Sequence, residues 1–213
     1  DATGRLAPEA LERTRVALAD YAALMRSHEV KRVRMVATSA TRDAANRDDF
    51  FAMARAELGT VVPGAEAEVI TGDEEARLSF AGAVGEFPAE SGPFLVVDLG
   101  GGSTELVVGD ASGVTAAFSA DIGCVRITER CLPGNPADAE QIAAARTFAT
   151  ERLAEAFTHV PVDRAHTWVG VAGTMTTLAA VALGLPEYDS SKTHLSRFPL
   201  DEVHRVCDRI VGL

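Results

Sequence analysis

The sequence predicts an α/β fold in which helices flank a mixed sheet. Short apolar runs rich in β-branched residues alternate with longer segments of helical spacing along the chain. Two of these runs lead into glycine-rich junctions, and a polar turn at 109–113 joins two further runs in antiparallel order. Parallel connections through helices and a direct antiparallel connection together predict a mixed sheet.

The stretch 94–108 is the centre of the chain. A buried strand is predicted from Phe94, it reaches an acid at Asp98, and a second apolar run ends at Val108. Glycines let backbone N–H groups approach an anion without a Cβ in the way, neighbouring hydroxyls add donors, and flanking carboxylates hold Mg²⁺. A β-hairpin with a glycine-rich turn is the alternative interpretation. The residues of this predicted phosphate loop are Asp98, Gly100, Gly101, Gly102, Ser103, Thr104 and Glu105.

Composition favours a globular protein of the cytoplasm. Of the 213 residues, 47% are hydrophobic and 24% charged, and no apolar run approaches the roughly 20 residues of a membrane span. The chain opens at Asp1 without the basic stretch and apolar core of a signal peptide. Three widely spaced cysteines predict neither a disulfide framework nor a zinc site. The net charge of −11 disfavours nucleic acid as a partner, so that any anion site must be built locally.

The first part of the chain contributes a helix and a strand. Helical spacing predicts a helix over 8–28, and alternation predicts a strand over 31–38 followed by a polar turn that reaches Arg42. Open α/β sheets bind ligands beyond the carboxyl ends of their strands, which makes Arg42 a candidate ligand contact. A solvated surface arginine is the alternative interpretation of Arg42.

Two adjacent acids, Glu74 and Glu75, lie at the start of the helix that is predicted after the strand at 68–71. Asn46 is expected to cap a helix over 48–58, and a short strand follows at 68–71. Thr71 and Glu74 have the spacing of a capping box, which by itself explains Glu74. A capping box does not explain the second acid, and Glu75 is therefore a candidate general base facing a phosphate site. Arg77 lies on a different face of the same helix.

The second half predicts another glycine junction. A glycine turn at 121–128 leads into a helix with Arg126 in its first turn, a possible anion contact, and a long helix is predicted over 137–159. The strand at 165–171 then runs into Gly173, Thr174 and an apolar helix, which suggests a second phosphate-facing loop across a shared cleft. Residues 184–198 are predicted to be a loop, whose His194 is left out of the site, and 200–211 a last helix.

Five motifs together resemble one protein family. The chain is similar, in their order and spacing, to the exopolyphosphatase/guanosine pentaphosphate phosphohydrolase (Ppx/GppA) family. The resemblance implies the actin-like ATPase superfamily, with domains of ribonuclease H-like topology around a phosphate-binding cleft, divided here at 1–120 and 121–213. Family members open with a strand and a phosphate loop of the type Asp-x-Gly-Thr-Asn-Ser, so this chain is expected to be a fragment that lacks them. The motifs are ATSATR (37–42), ITGDEEAR (70–77), VDLGGGSTE (97–105), GCVRIT (123–128) and GVAGT (170–174).

The resemblance also implies roles for individual residues. The catalytic carboxylate of the family falls on Glu75, its substrate arginine on Arg42, and its Mg²⁺- and phosphate-associated loop on Asp98–Glu105. The implied reaction is the hydrolysis of terminal phosphoanhydride bonds of inorganic polyphosphate, with Mg²⁺ as cofactor and a homodimer as the assembly.

Three alternatives stay open at this point. The same site could hydrolyse pppGpp to ppGpp, or it could bind guanosine penta- or tetraphosphate without turnover. An actin-like ATPase or a sugar kinase shares the glycine loops, although the Glu74-Glu75-Ala76-Arg77 segment is poorly explained by either.

Overall fold

The computed structural model describes residues 4–42 and 44–212, which form two compact units, Asp1–Glu75 and Ala76–Leu213. The boundary between the units falls within one helix. The division into domains at residue 120 concerns topology and stays a prediction. The elements that begin in the first unit are α1 (Pro8–Ser27), β1 (Met35–Ala37), α2 (Ser39–Arg42), α3 (Arg47–Gly59), β2 (Ala67–Val69) and α4 (Gly72–Val84).

The first unit packs helices α1 and α3 around small and branched apolar side chains, among which Ala22, Ala54 and Leu58 are almost fully buried. Strands β1 and β2 pair in parallel, with Met35 opposite Ala67. Their carboxyl ends therefore lie at the same edge, where the chain continues into α2 and α4 respectively. The strand predicted over 31–38 is shorter than expected, and the predicted turn after it forms the one-turn helix α2.

The capping expectation for Asn46 is wrong in its chemistry. Asn46 does precede α3, but its side chain makes no capping hydrogen bond. Its amide oxygen accepts from the Leu6 N–H at 2.8 Å, and its amide nitrogen donates to the Leu6 carbonyl at 3.1 Å. Asn46 therefore fastens the segment before α1 to the start of α3.

The second unit contains the strands β3 (Phe94–Leu99), β4 (Thr104–Asp110), β5 (Gly113–Ala120) and β6 (Thr167–Val171). They form one sheet in the order β5-β4-β3-β6. The β3–β4 and β4–β5 pairs are antiparallel and the β3–β6 pair is parallel, which confirms the predicted mixed sheet. The helices that begin in this unit are α5 (Cys124–Cys131), α6 (Ala139–His159), α7 (Ala172–Ala182), α8 (Ser190–Thr193) and α9 (Leu200–Val211). The one-turn helix α8 lies inside the segment predicted to be a loop.

Both faces of this sheet are covered. On one face Phe94 and Val96 of β3 pack with Val107 of β4 against Phe80 of α4. The opposite face belongs to a second cluster, in which Leu106, Val108 and Ile122 pack against Ala156 and Val160 around the end of α6. Alternating residues of the same strands thus enter two different cores.

The helices of the described residues are all too short or too polar to cross a membrane.

Candidate functional site

The glycine-rich stretch forms the turn of the β3–β4 hairpin. Leu99 and Thr104 are the last paired residues, and the Gly100 N–H donates to the Ser103 carbonyl at 3.1 Å across the turn. The hairpin interpretation is therefore correct for the backbone, and it is compatible with a phosphate loop at the same place.

The carbonyl groups and the N–H groups of the loop differ in their hydrogen bonding. The carbonyl oxygens of Gly100–Gly102 all accept hydrogen bonds from the first turn of α5. By contrast, the N–H groups of Gly101–Ser103 have no acceptor among the residues that the structure describes. Three adjacent N–H groups without an acceptor, on backbone with little side-chain bulk, are the kind of feature that binds an anion.

Thr104, predicted to bind substrate, makes a structural hydrogen bond, and its role at the site stays a prediction. Its side chain is 4% exposed, and its hydroxyl donates to the Ile122 carbonyl at 2.5 Å. A hydroxyl group has a single proton to donate, so this donor is committed to the fold.

Two carboxylates face each other beside the loop. Asp98 on β3 is the direct register partner of Glu105 on β4, so their side chains lie on the same face of the sheet. Burial raises the pKa of Asp98, the nearby Glu105 carboxylate raises it further, and a hydrogen bond from Ser79 partly opposes both effects. Glu105 in turn accepts a hydrogen bond from the Ser119 hydroxyl at 2.7 Å.

This pair fits a divalent cation by its donor chemistry. Two carboxylates that repel each other gain when a cation lies between them, and Mg²⁺ commonly takes one or two carboxylates together with substrate phosphates and water. The described residues contain no cluster of three or more His, Cys, Asp or Glu side chains that could hold a metal ion. Asp98 and Glu105 would therefore supply only part of a coordination sphere.

The second glycine junction lies at the same edge of the sheet as the first. Val171, the last residue of β6, is the register partner of Asp98, and the two strands are parallel. The chain turns at Ala172, which has a positive φ of 70°, so Gly173 and Thr174 belong to the first turn of α7. Both junctions thus follow the carboxyl ends of neighbouring parallel strands, where α/β sheets bind ligands.

Two of the three threonine hydroxyls after this junction donate hydrogen bonds within the helix. Those of Thr176 and Thr177 both donate to the Gly173 carbonyl, at 3.1 and 2.8 Å. The half-buried Thr174 side chain makes no hydrogen bond within the described part of the chain.

Arg42 and Glu75 belong to the first unit. Arg42 ends helix α2, is half-buried, and donates to the Ile70 carbonyl at 3.2 Å just after β2. It therefore lies at the carboxyl ends of β1 and β2, as the sequence predicts. Glu75 is half-buried in the first turn of α4, and its role at the glycine loop stays a prediction.

Glu74, the first of the two adjacent acids of α4, forms an ion pair. Thr71 accepts from the Glu74 N–H at 3.2 Å, which confirms that Thr71 caps the helix. The Glu74 side chain does not complete a capping box, because it accepts from Arg34 at 2.6 Å, and Arg34 also pairs with Glu68. Glu74 thus has a structural partner of its own.

Sequence reasoning missed the hydroxyls of Ser79 and Ser119, which contact the two carboxylates. Ser79 follows Glu75 by four residues, a helical spacing that places both on one face of α4 and could have pointed to it. Ser119 is identified only by the β4–β5 register. His194, left out of the site, is exposed and pairs with Glu86 at 3.0 Å.

Comparisons with known proteins identify the family of the chain. A family model described as the Ppx/GppA phosphatase family matches residues 1–213. Exopolyphosphatase 2 of Mycobacterium tuberculosis is 57% identical over 213 residues, which are 100% of this chain and 66% of that protein. The chain therefore spans slightly less than two thirds of the length of this relative.

Solved structures give the same result for the fold. An exopolyphosphatase-like protein is 44% identical with a TM-score of 0.85, over 98% of this chain and 66% of the other. The Ppx/GppA enzyme of Aquifex aeolicus is 33% identical with a TM-score of 0.79, over 100% and 68% of the two chains. Ppx/GppA structures have the actin-like ATPase fold, which confirms the predicted fold class. The chain belongs to the Ppx/GppA phosphatase family.

Proposed function

We propose that the protein hydrolyses the terminal phosphoanhydride bond of inorganic polyphosphate and releases orthophosphate. The observation that carries the proposal is the edge of the sheet at which two glycine junctions meet beside the Asp98–Glu105 pair. The 57% identity to a protein named Exopolyphosphatase 2 supports polyphosphate as the substrate.

The glycine loop would bind the terminal phosphoryl group. The N–H groups of Gly101–Ser103, with the Ser103 hydroxyl, are donors for its equatorial oxygens, where charge is concentrated in the transition state. Gly173 and Thr174 would contact the phosphate chain from the neighbouring junction. Arg42 would add a fixed positive charge, which a protein with a net charge of −11 needs at an anion site.

Asp98 and Glu105 would hold Mg²⁺, directly or through water. When bound, the cation neutralises charge on the phosphates and on the two carboxylates. The hydrogen bonds from Ser79 and Ser119 orient the carboxylates for that purpose.

Glu75 would be the general base. Its carboxylate takes a proton from water while the water oxygen forms a bond to the terminal phosphorus, and the bond from phosphorus to the bridging oxygen breaks with its electron pair on the shortened chain. One observation supports Glu75: it shares a helix face with Ser79, whose hydroxyl contacts Asp98.

Release of phosphate from three substrates by the full-length protein tests the proposal. Polyphosphate, pppGpp and ATP are supplied side by side with Mg²⁺, and we expect the highest kcat/KM with polyphosphate. A higher value with pppGpp would contradict the substrate assignment and favour a pppGpp phosphohydrolase. Calorimetric binding of pppGpp without phosphate release from any substrate would favour a nucleotide-binding module instead.

A further inference from the structure

The first turn of helix α5 binds the carbonyl groups of the glycine loop. The N–H groups of Cys124–Arg126 donate to the carbonyls of Gly100 and Gly101 at 3.0 to 3.1 Å. The third carbonyl, that of Gly102, accepts from the Arg126 side chain, whose Nε lies 2.6 Å away. All three glycine carbonyls are thereby bound to one element.

Helix α5 approaches the loop so closely that Gly123 has no room for a side chain. A Cβ on Gly123 would overlap the carbonyl group of Gly101 and lie 2.7 Å from the Gly100 oxygen. Gly123 has a φ of −151°, which any residue adopts, so the glycine is required for space rather than for its backbone conformation.

Binding the carbonyls fixes the direction of the N–H groups that follow them. In a trans peptide the C=O of one residue and the N–H of the next lie in one plane and point in opposite directions. The carbonyls of Gly100–Gly102 are therefore paired with the N–H groups of Gly101–Ser103, the same three that have no acceptor within the described residues. Helix α5 binds one side of these peptides, and their donors point away from it.

We infer that Arg126 is a positioning residue, which orients the peptide between Gly102 and Ser103 for a phosphoryl group. Its Nε is used by the Gly102 carbonyl, and its Nη2 lies 3.6 Å from the Asp121 carboxylate, which steadies the guanidinium. The effect on catalysis rests on the proposed function, whereas the effect on loop geometry does not.

Two substitutions of Arg126 separate positioning from direct contact. Arg126→Gln removes the charge, and Arg126→Lys keeps it but loses the planar guanidinium that engages Gly102 and Asp121 together. We expect both variants of the full-length protein to lower kcat with polyphosphate about 10- to 100-fold with little change in KM, because misoriented donors fail chiefly in the transition state. Arg130→Gln is the matched control on the same helix, where Arg130 lies over the Phe148 ring, and its kcat should not change.

Amide exchange measured by NMR gives a readout that does not depend on turnover. The N–H groups of Cys124–Arg126 should exchange about tenfold faster in both Arg126 variants, because the loop that accepts their hydrogen bonds is held less firmly. Arg130→Gln should leave these rates unchanged.

The outcomes are distinct. A normal kcat in Arg126→Lys together with a raised KM in Arg126→Gln would assign Arg126 to direct anion binding and overturn the inference. Unchanged kcat and exchange rates in both variants would overturn it as well. If the parent protein released no phosphate, the proposed function would fail, and faster exchange in the variants would still support the positioning of the loop by Arg126.

Discussion

Replacing Asp98 by asparagine should stabilise the metal-free protein while removing its response to Mg²⁺. Asp98 and Glu105 are opposite each other in the β3–β4 register, and burial and this neighbour raise the pKa of Asp98 above its ordinary value of 3.8. A raised pKa means that the folded state binds the proton more tightly than the unfolded state. The free energy of unfolding therefore falls as pH rises through that pKa, and at neutral pH the ionised Asp98 is destabilising.

The size of the effect follows from the spacing of the pair. Residues directly opposite in a sheet have Cβ atoms about 4.5–5.5 Å apart, and two unit charges about 5 Å apart repel by roughly 1–3 kcal/mol for an effective dielectric constant between about 80 and 20. Asp98 is only partly buried, so solvent screening favours the lower value. A gain of about 1 kcal/mol corresponds to a rise in Tm of about 2–4 °C.

Thermal unfolding of Asp98→Asn with and without Mg²⁺ measures both effects. Without the cation at pH 7 we expect the variant to have the higher Tm, and this advantage should disappear below the ordinary pKa of aspartate, where the parent side chain is also neutral. With Mg²⁺ only the parent should gain further stability, since only it retains both carboxylates. A variant that is no more stable than the parent without Mg²⁺, or that still responds to Mg²⁺ as the parent does, would refute the reasoning.

Asp110→Asn is the matched control on the same hairpin. Asp110 ends β4, and its carboxylate accepts from the Ser112 hydroxyl at 2.5 Å and from the Ser112 N–H at 2.8 Å. These hydrogen bonds lower the pKa of Asp110, so its ionised form is favoured in the folded state. Asp110→Asn should therefore raise neither the Tm nor its dependence on Mg²⁺.

Two further substitutions, Gly123→Ala and Thr104→Val, test the support of the loop, and Gly82→Ala is the control for the first. Gly123→Ala places a Cβ against the Gly101 carbonyl, so it should lower the free energy of unfolding by about 1–3 kcal/mol and slow phosphate release. Gly82 lies in open space within α4, and Gly82→Ala should raise the free energy of unfolding by about 0.5–1 kcal/mol. Equal stability of these two variants in urea would contradict the close approach. Thr104→Val should cost about 1–3 kcal/mol, because the buried Ile122 carbonyl loses its donor; an unchanged urea midpoint would contradict that hydrogen bond.

Local patterns in the sequence predicted much of the fold. The last helix begins at Leu200 and ends at Val211 as predicted, because a strong apolar period and the preceding Pro199 define it locally. The mixed sheet was predictable because the strands β3 to β5 follow one another through short turns. The pairing of β6 with β3, which places the two glycine junctions at one edge of the sheet, was not predicted.

What the sequence did not predict depends on distant partners. The local sequence predicts that the Asn46 side chain caps a helix, yet this side chain bonds to the backbone of Leu6, 40 residues away. The spacing of Thr71 and Glu74 predicts a capping box, yet the Glu74 side chain binds Arg34, also 40 residues away. Arg126 suggested an anion contact, and only the close approach of α5 to the loop identifies the Gly102 carbonyl as its partner. Each of these polar side chains has several possible partners, and tertiary packing decides among them.

Phosphate release by Glu75→Gln, compared with Glu74→Gln in the full-length protein, tests the central claim most directly. The two substitutions remove the same charge from adjacent positions of α4, where Glu74 already pairs with Arg34. We expect Glu75→Gln to bind polyphosphate but to lose about 10²–10⁴-fold in turnover, while Glu74→Gln retains most of it. Phosphate release by Glu75→Gln at the rate of the parent protein would contradict the assignment of Glu75 as the general base.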